Sequence, residues 1–218
     1  ANRSVINHFF VELRKHNFFD TNGHALLPPK HSDIVSGKFK CAACGNNNDV
    51  CKFLKNCAFQ NMKTIGYLLA FMFSRNITVH VPFSKAFVKY LTFTHDDNDD
   101  TSFSRILTEE DCADFDPDIV ATTQRYLQVD DIEHYDLTWG ELRPLLRDIK
   151  ITNATREEYI RSKRFHDFIK SREPFVSTIK ASYYNYRFTR DFRYIMPTDI
   201  MYQSLFAGKI ATAQQIID

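Results

Sequence analysis

Phe59-Gln60-Asn61-Met62-Lys63-Thr64-Ile65-Gly66-Tyr67-Leu68-Leu69-Ala70-Phe71-Met72-Phe73-Ser74 decides the fold of this 218-residue chain. Phe59, Met62, Ile65, Leu69 and Met72 recur at helical spacing, while Tyr67, Leu68, Ala70, Phe71 and Phe73 fill the other sides. A helix that is apolar on most faces must be enclosed by others. The stretch therefore predicts a helical domain built around a central helix over 59–74. Its longest apolar run, Ile65 to Phe73 with Gly66 counted, has nine residues, far below the roughly 20 that span a bilayer.

Working outward, Ile6, Phe9, Phe10 and Leu13 mark an amphipathic helix over 5–15. Asp20-Thr21-Asn22-Gly23 reads as a turn and Leu26-Leu27-Pro28-Pro29 as an extended exit. Residues 30–58 are polar, basic and cysteine-bearing, and read as an irregular insert. Past the central helix, Pro82 is a suitable first helical residue for Phe83, Ala86, Phe87 and Tyr90. His95 to Ser102 reads as a solvated acidic loop. Asp116-Pro117 is a cap followed by a first-turn proline, opening a helix to about Gln128. Tyr135, Leu137 and Trp139 alternate with polar residues up to Gly140, predicting a half-buried strand that pairs with Asp148–Thr152. Asn153 is the expected cap of a helix carrying Tyr159, Ile160, Phe165, Phe168 and Ile169. A further helix is expected around Pro174, and a last one from Thr198 to Gly208.

Composition narrows the function. Twenty Phe, ten Tyr and one Trp supply a sizeable core, and only 6 Gly and 7 Pro argue against a turn-rich sandwich or barrel. Twenty-eight Lys+Arg against 27 Asp+Glu leave a net charge of +1, too small a basic excess for binding driven by phosphate neutralisation, so nucleic acid is not an expected partner. The same holds for the arginines and aromatics interleaved over 184–194, which read as a solvated face over a core. No secretory segment is visible at Ala1-Asn2-Arg3-Ser4, and the expected compartment is cytoplasmic or nuclear, with no membrane.

Four of five cysteines fall between residues 41 and 57. Cys41-Ala-Ala-Cys44-Gly45 has the knuckle spacing that aims two thiolates at one tetrahedral zinc, and Cys51 and Cys57 are the candidates to complete a closed structural site. Free thiols and disulfides are the alternatives. Cys112 stands among Glu109, Glu110, Asp111 and Asp114, which disfavour a thiolate. It reads as structural, and no catalytic residue is assigned.

The order of these elements resembles a known family. Ile65-Gly66 with Leu68-Leu69-Ala70, then Pro82-Phe83 with Phe87 and Tyr90-Leu91, resembles the central segment of the amino-terminal lobe of HECT-type ubiquitin ligases. Thr108-Glu109-Glu110-Asp111 with Asp116-Pro117, Tyr135 to Trp139, Ile149-x-Ile151-Thr152-Asn153 with Tyr159, and Pro197 to Gly208 follow in the family's order. The chain departs from the pattern at Ala70, where the family has glycine. The resemblance implies an α+β, predominantly α-helical fold with a small hairpin-bearing subdomain. It divides the chain into an amino-terminal helix and cysteine-rich insert at 1–58 and a lobe at 59–218, with 103–170 as the conjugating-enzyme-binding subdomain.

The implied function is recruitment of a ubiquitin-conjugating enzyme by a lobe that performs no bond chemistry, the family's nucleophilic "T-C" cysteine belonging to a further lobe with no counterpart here. Carried over by position, the groove comprises Ile119, Thr123, Val129, Leu137, Tyr159 and Lys163. Thr123 and Val129 replace the larger leucine and tyrosine usual there. A second reading keeps the scaffold and drops the ubiquitin role, making the chain an assembly component that binds other protein subunits.

Overall fold

A computed structural model of the chain describes residues 2–15, 19–22, 25–36, 51–78, 83–93, 100–192 and 201–207. The architecture is α+β and predominantly helical, as expected. Helix α1 (Asn2–Lys15) leads into an antiparallel hairpin of β1 (Asp20–Asn22) and β2 (Ala25–Leu27), then a short α2 (His31–Val35). The central helix α3 runs from Cys51 to Ser74. Beyond it come α4 (Lys85–Thr92), α5 (Asp100–Ile106), α6 (Glu109–Ala113), α7 (Pro117–Gln128) and α8 (Arg156–Phe168). Helices α9 (Phe175–Asn185) and α10 (Arg187–Phe192) follow, and a π-helical turn at Gln203–Ala207 closes the series. Among the described residues no helix is long and apolar enough to cross a membrane.

The apolar faces of α3 are met mainly by α9, its most extensive packing partner. Gly66 makes that approach possible. A Cβ there would overlap the Ile179 carbonyl oxygen and lie 2.7 Å from the Ser182 Cβ, so the two backbones touch where a side chain would stand. Met62, Ile65, Leu69, Ala70 and Met72 are all sealed from solvent on either side of this point.

Phe83 is the hub of the aromatic packing. Its ring meets Phe10 from α1 at 5.8 Å, Phe19 at 5.2 Å and Phe87 from α4 at 5.3 Å. The same residue forms an isolated parallel bridge with Leu26, which is why α4 starts at Lys85 and not at Pro82. Ser84 does not cap α4 with its own side chain. Asp114, just after α6, accepts the Lys85 N–H at 2.8 Å and the Ser84 hydroxyl at 3.1 Å.

The amino-terminal hairpin belongs to this same core. Arg172, 1% exposed, donates from Nη2 to Asp20 Oδ2 at 2.9 Å and from Nη1 to the Pro28 carbonyl, and its guanidinium lies 5.3 Å from the centroid of the Phe115 ring. The division expected between residues 58 and 59 falls inside α3.

A second, smaller core sits beside the first. Ile132, Trp139, Ile151, Tyr159 and Ile160 are buried together, with Tyr126, Val129, Leu137, Leu142 and Leu146 packed around them. The strand expected at 135–139 reduces to a single antiparallel bridge, Thr138↔Lys150, flanked by Trp139 N–H to Ile149 O at 3.0 Å and Ile151 N–H to Leu137 O at 2.8 Å. The expected pairing with 148–152 is there, one residue pair long. Short 3-10 turns at Ile132–Tyr135, Trp139–Glu141 and Pro144–Leu146 take the rest, and Asp136 is left-handed at φ 49°.

Asn153 is not the cap of α8. Its carbonyl accepts the Ile132 N–H at 3.1 Å and its amide donates to Asp131 at 3.1 Å, pinning the first 3-10 turn to the start of α8. Asp116 does cap α7, accepting the Ile119 N–H at 3.1 Å. Part of the stretch expected as irregular is helical, at α2 and from Cys51 onward, and the acidic loop ends at Asp100, where α5 begins.

Candidate functional site

Cys41 and Cys44 lie outside the described residues, as do the side chains of Cys51 and Cys57, whose backbone opens α3. Six helical positions separate the latter two, about 9 Å of axial rise. Cys112 is fully buried in the main core. Burial pushes its thiol up to about 12, against the opposing charge of Arg164 and with the help of Asp111, Asp114 and Glu109. At neutral pH such a thiol is a small apolar group, not a nucleophile.

The six groove positions divide between the two cores. Ile119, on α7, packs half-buried against the main core. Thr123, one turn later, is 1% exposed and donates its hydroxyl to the Val120 carbonyl at 2.9 Å. Val129, Leu137 and Tyr159 come together around the small core, with Tyr159 only 2% exposed and set edge-on against Trp139 at 5.6 Å. Burial, aided by Glu141, raises the Tyr159 phenol to about 12.

Lys163 is held from two sides, 2.6 Å from Glu141 and 3.2 Å from Asp167. Burial pulls the Lys163 pKa down, but these carboxylates outweigh it and the net shift is upward. Asp167 mirrors this balance: burial raises its pKa, and His166 and Lys163 together bring it below the usual carboxylate range. The clip fastens the turn at Glu141 to α8. Thr123 and Tyr159 thus support the subdomain from inside, and Lys163 locks it.

The outward surface of the subdomain is made by other residues. Leu145 is 99% exposed, Ile149 52%, Tyr135 48% and Leu127 38%. These are four of the eight large apolar side chains exposed among the described residues, and all four fall between 127 and 149. Tyr135 stacks edge-on with Tyr126 at 5.5 Å. Gly140 keeps the turn tight against Arg147, since a Cβ there would come within 2.8 Å of the Arg147 Cα. The sequence did carry a signal for Leu145: Pro144-Leu145-Leu146 forms a 3-10 turn, and only Leu146 reaches the small core.

Comparison with known proteins gives one further finding. The family model described as HECT-domain (ubiquitin-transferase) matches residues 9–209, beginning well before the central helix on which the resemblance rests. No curated protein matches the chain.

Proposed function

We propose, from the premise that this chain belongs to the HECT-domain (ubiquitin-transferase) family, that it recruits a ubiquitin-conjugating enzyme through the small subdomain. The observation that carries the reading is the concentration of exposed apolar side chains at Leu127, Tyr135, Leu145 and Ile149. Exposed apolar groups of this size, gathered on one subdomain and rimmed by charges such as Lys150 and Asp136, have the composition of a protein-binding surface. Val129 and Leu137 pack against the small core of the same subdomain, which Thr123, Tyr159 and Lys163 help hold in place. The buried thiol of Cys112 is unsuited to nucleophilic transfer, which is in keeping with a recruiting role.

The test is titration of the chain against a panel of ubiquitin-conjugating enzymes. Leu145→Asp and Ile149→Asp should each weaken binding by about ten-fold, the effect of losing about 1.4 kcal/mol, with the thermal transition unchanged. Failure of every conjugating enzyme to bind the folded wild-type chain removes the reading.

A further inference from the structure

Between α5 and α8, on the flank of the small subdomain, lies a cleft of about 520 Å3. Among the described residues its walls carry four permanent cations, Arg105, Arg143, Arg161 and Lys170, against one carboxylate, Glu158. The whole chain has a net charge of only +1, so this is a local concentration of positive charge and not a share of a general excess. The cations come from separate pieces of chain. Arg105 is in the last turn of α5, Arg143 follows the turn at Trp139–Glu141, Arg161 is on α8, and Lys170 begins the 3-10 turn after it.

Arg143 and Arg161 are fixed in place. Arg143 lies over the Trp139 ring at 4.7 Å and meets Glu158 at 3.3 Å. Arg161 pairs with Glu157 one turn earlier at 3.5 Å. Arg105 makes no ion pair or hydrogen bond among the described residues. Thr101 and Ser162 add hydroxyls on opposite walls, and Phe165 and Leu142 contribute apolar lining. Along α8, Glu158, Arg161, Ser162 and Phe165 recur three and four residues apart and so share one face of the helix.

Like charges gathered in a walled cleft repel one another and focus a positive potential, and an entering anion relieves both. Guanidinium groups match phosphate oxygens in pairs, with planar donors that a lysine lacks. The volume is that of a small-molecule site, and cations on facing walls suit a ligand with charge at more than one point. We propose that this cleft binds a soluble, compact anion carrying two or more adjacent phosphate groups. The neighbouring depression, which shares Arg105 and Arg161, adds Arg164 but also Glu109 and Glu110, so its three cations face two carboxylates and the bias is weaker.

The experiment is isothermal titration of the full chain with inorganic pyrophosphate at constant ionic strength, with sulfate as the control anion. Saturable binding of pyrophosphate, tighter than of sulfate, is expected. Arg105→Gln and Arg161→Gln should each weaken it by about ten-fold, and Lys63→Gln, exposed on α3 outside the cleft, should not. Arg105 is exposed and makes no ion pair among the described residues, so its variant should keep the wild-type thermal transition; should either arginine variant unfold, the other decides. Absence of saturable heat, sulfate binding as tightly as pyrophosphate, or equal weakening by Lys63→Gln overturns the proposal. None of these outcomes bears on conjugating-enzyme binding, which is read in a separate titration.

Discussion

The two cores of this molecule are built on different principles. The main one is a stack of helices whose apolar faces meet over a large area, with Gly66 letting α3 and α9 touch, Phe83 joining α1, the hairpin and α4, and a few polar groups such as Arg172 set into it. The small one buries five residues and depends on polar fastenings: Asn153 to Ile132, Lys163 to Glu141 and Asp167, and one bridge between 138 and 150. A body of packed helices gains most of its stability from area removed from water. A core of five side chains gains much less, and must hold its turns by directed bonds. The softer region is the one that presents Leu145 and Ile149 to solvent.

The largest expected effect comes from breaking the main core. Phe83→Ala removes a fully buried ring and should cost about 4 kcal/mol, a large part of a typical domain's stability. Chemical denaturation followed by far-UV circular dichroism should show the midpoint fall sharply, and a small shift would mean that the ring contacts are dispensable.

Tyr159→Ala should act locally, at about 3 kcal/mol. Trp139 is the only tryptophan in the chain and lies in the small core, so its fluorescence reports that region alone. The variant should lose the native fluorescence at lower denaturant than the helical signal. Coincident loss of both signals would show the two cores to be one cooperative unit.

Alkaline pH should separate the regions more gently. A thiol or phenol whose folded pKa is raised ionises first in the unfolded chain. Its contribution is complete below the unfolded pKa and is lost as pH rises toward the folded one. For Cys112 in the main core the window runs from 9.0 to about 12, and for Tyr159 in the small core from 10.0 to about 12. Tyr183, also in the main core, is raised too. The helical signal should therefore weaken against denaturant from about pH 9, one unit before the Trp139 signal. The reverse order would contradict the assignment of these groups to their cores.

How much of this was legible depended on whether the signal was local. The α7 start is written in Asp116-Pro117, and the middle of α3 in an apolar surface with no polar side. The first turns of α3 were not legible, because Cys51 to Ala58 carry Lys52, Lys55 and Asn56 and no clean stripe, while extending a helix already nucleated costs little. Asn153 has the chemistry of a cap, and its side chain was drawn instead to the Ile132 amide, 21 residues earlier. The alternation at 135–139 is too short to separate a strand from consecutive 3-10 turns. The groove positions were chosen by resemblance, which carries position along the chain but not the direction a side chain faces. Thr123 and Tyr159 face inward, and the outward leucine is Leu145 of Pro144-Leu145-Leu146.

Arg172 sets a timetable for the ribosome. Its partner Asp20 precedes it by 152 residues, and Pro28 and the Phe115 ring complete its surroundings. During synthesis at about 5–20 residues per second, the amino-terminal hairpin waits on the order of ten seconds before the guanidinium that anchors it has been made. Through that interval Leu26 and Leu27, sealed in the finished protein, have at most part of their cover, Phe83 being made first. A nascent chain of this kind has reason to be met by a chaperone at its first hairpin, long before its last helix leaves the exit tunnel.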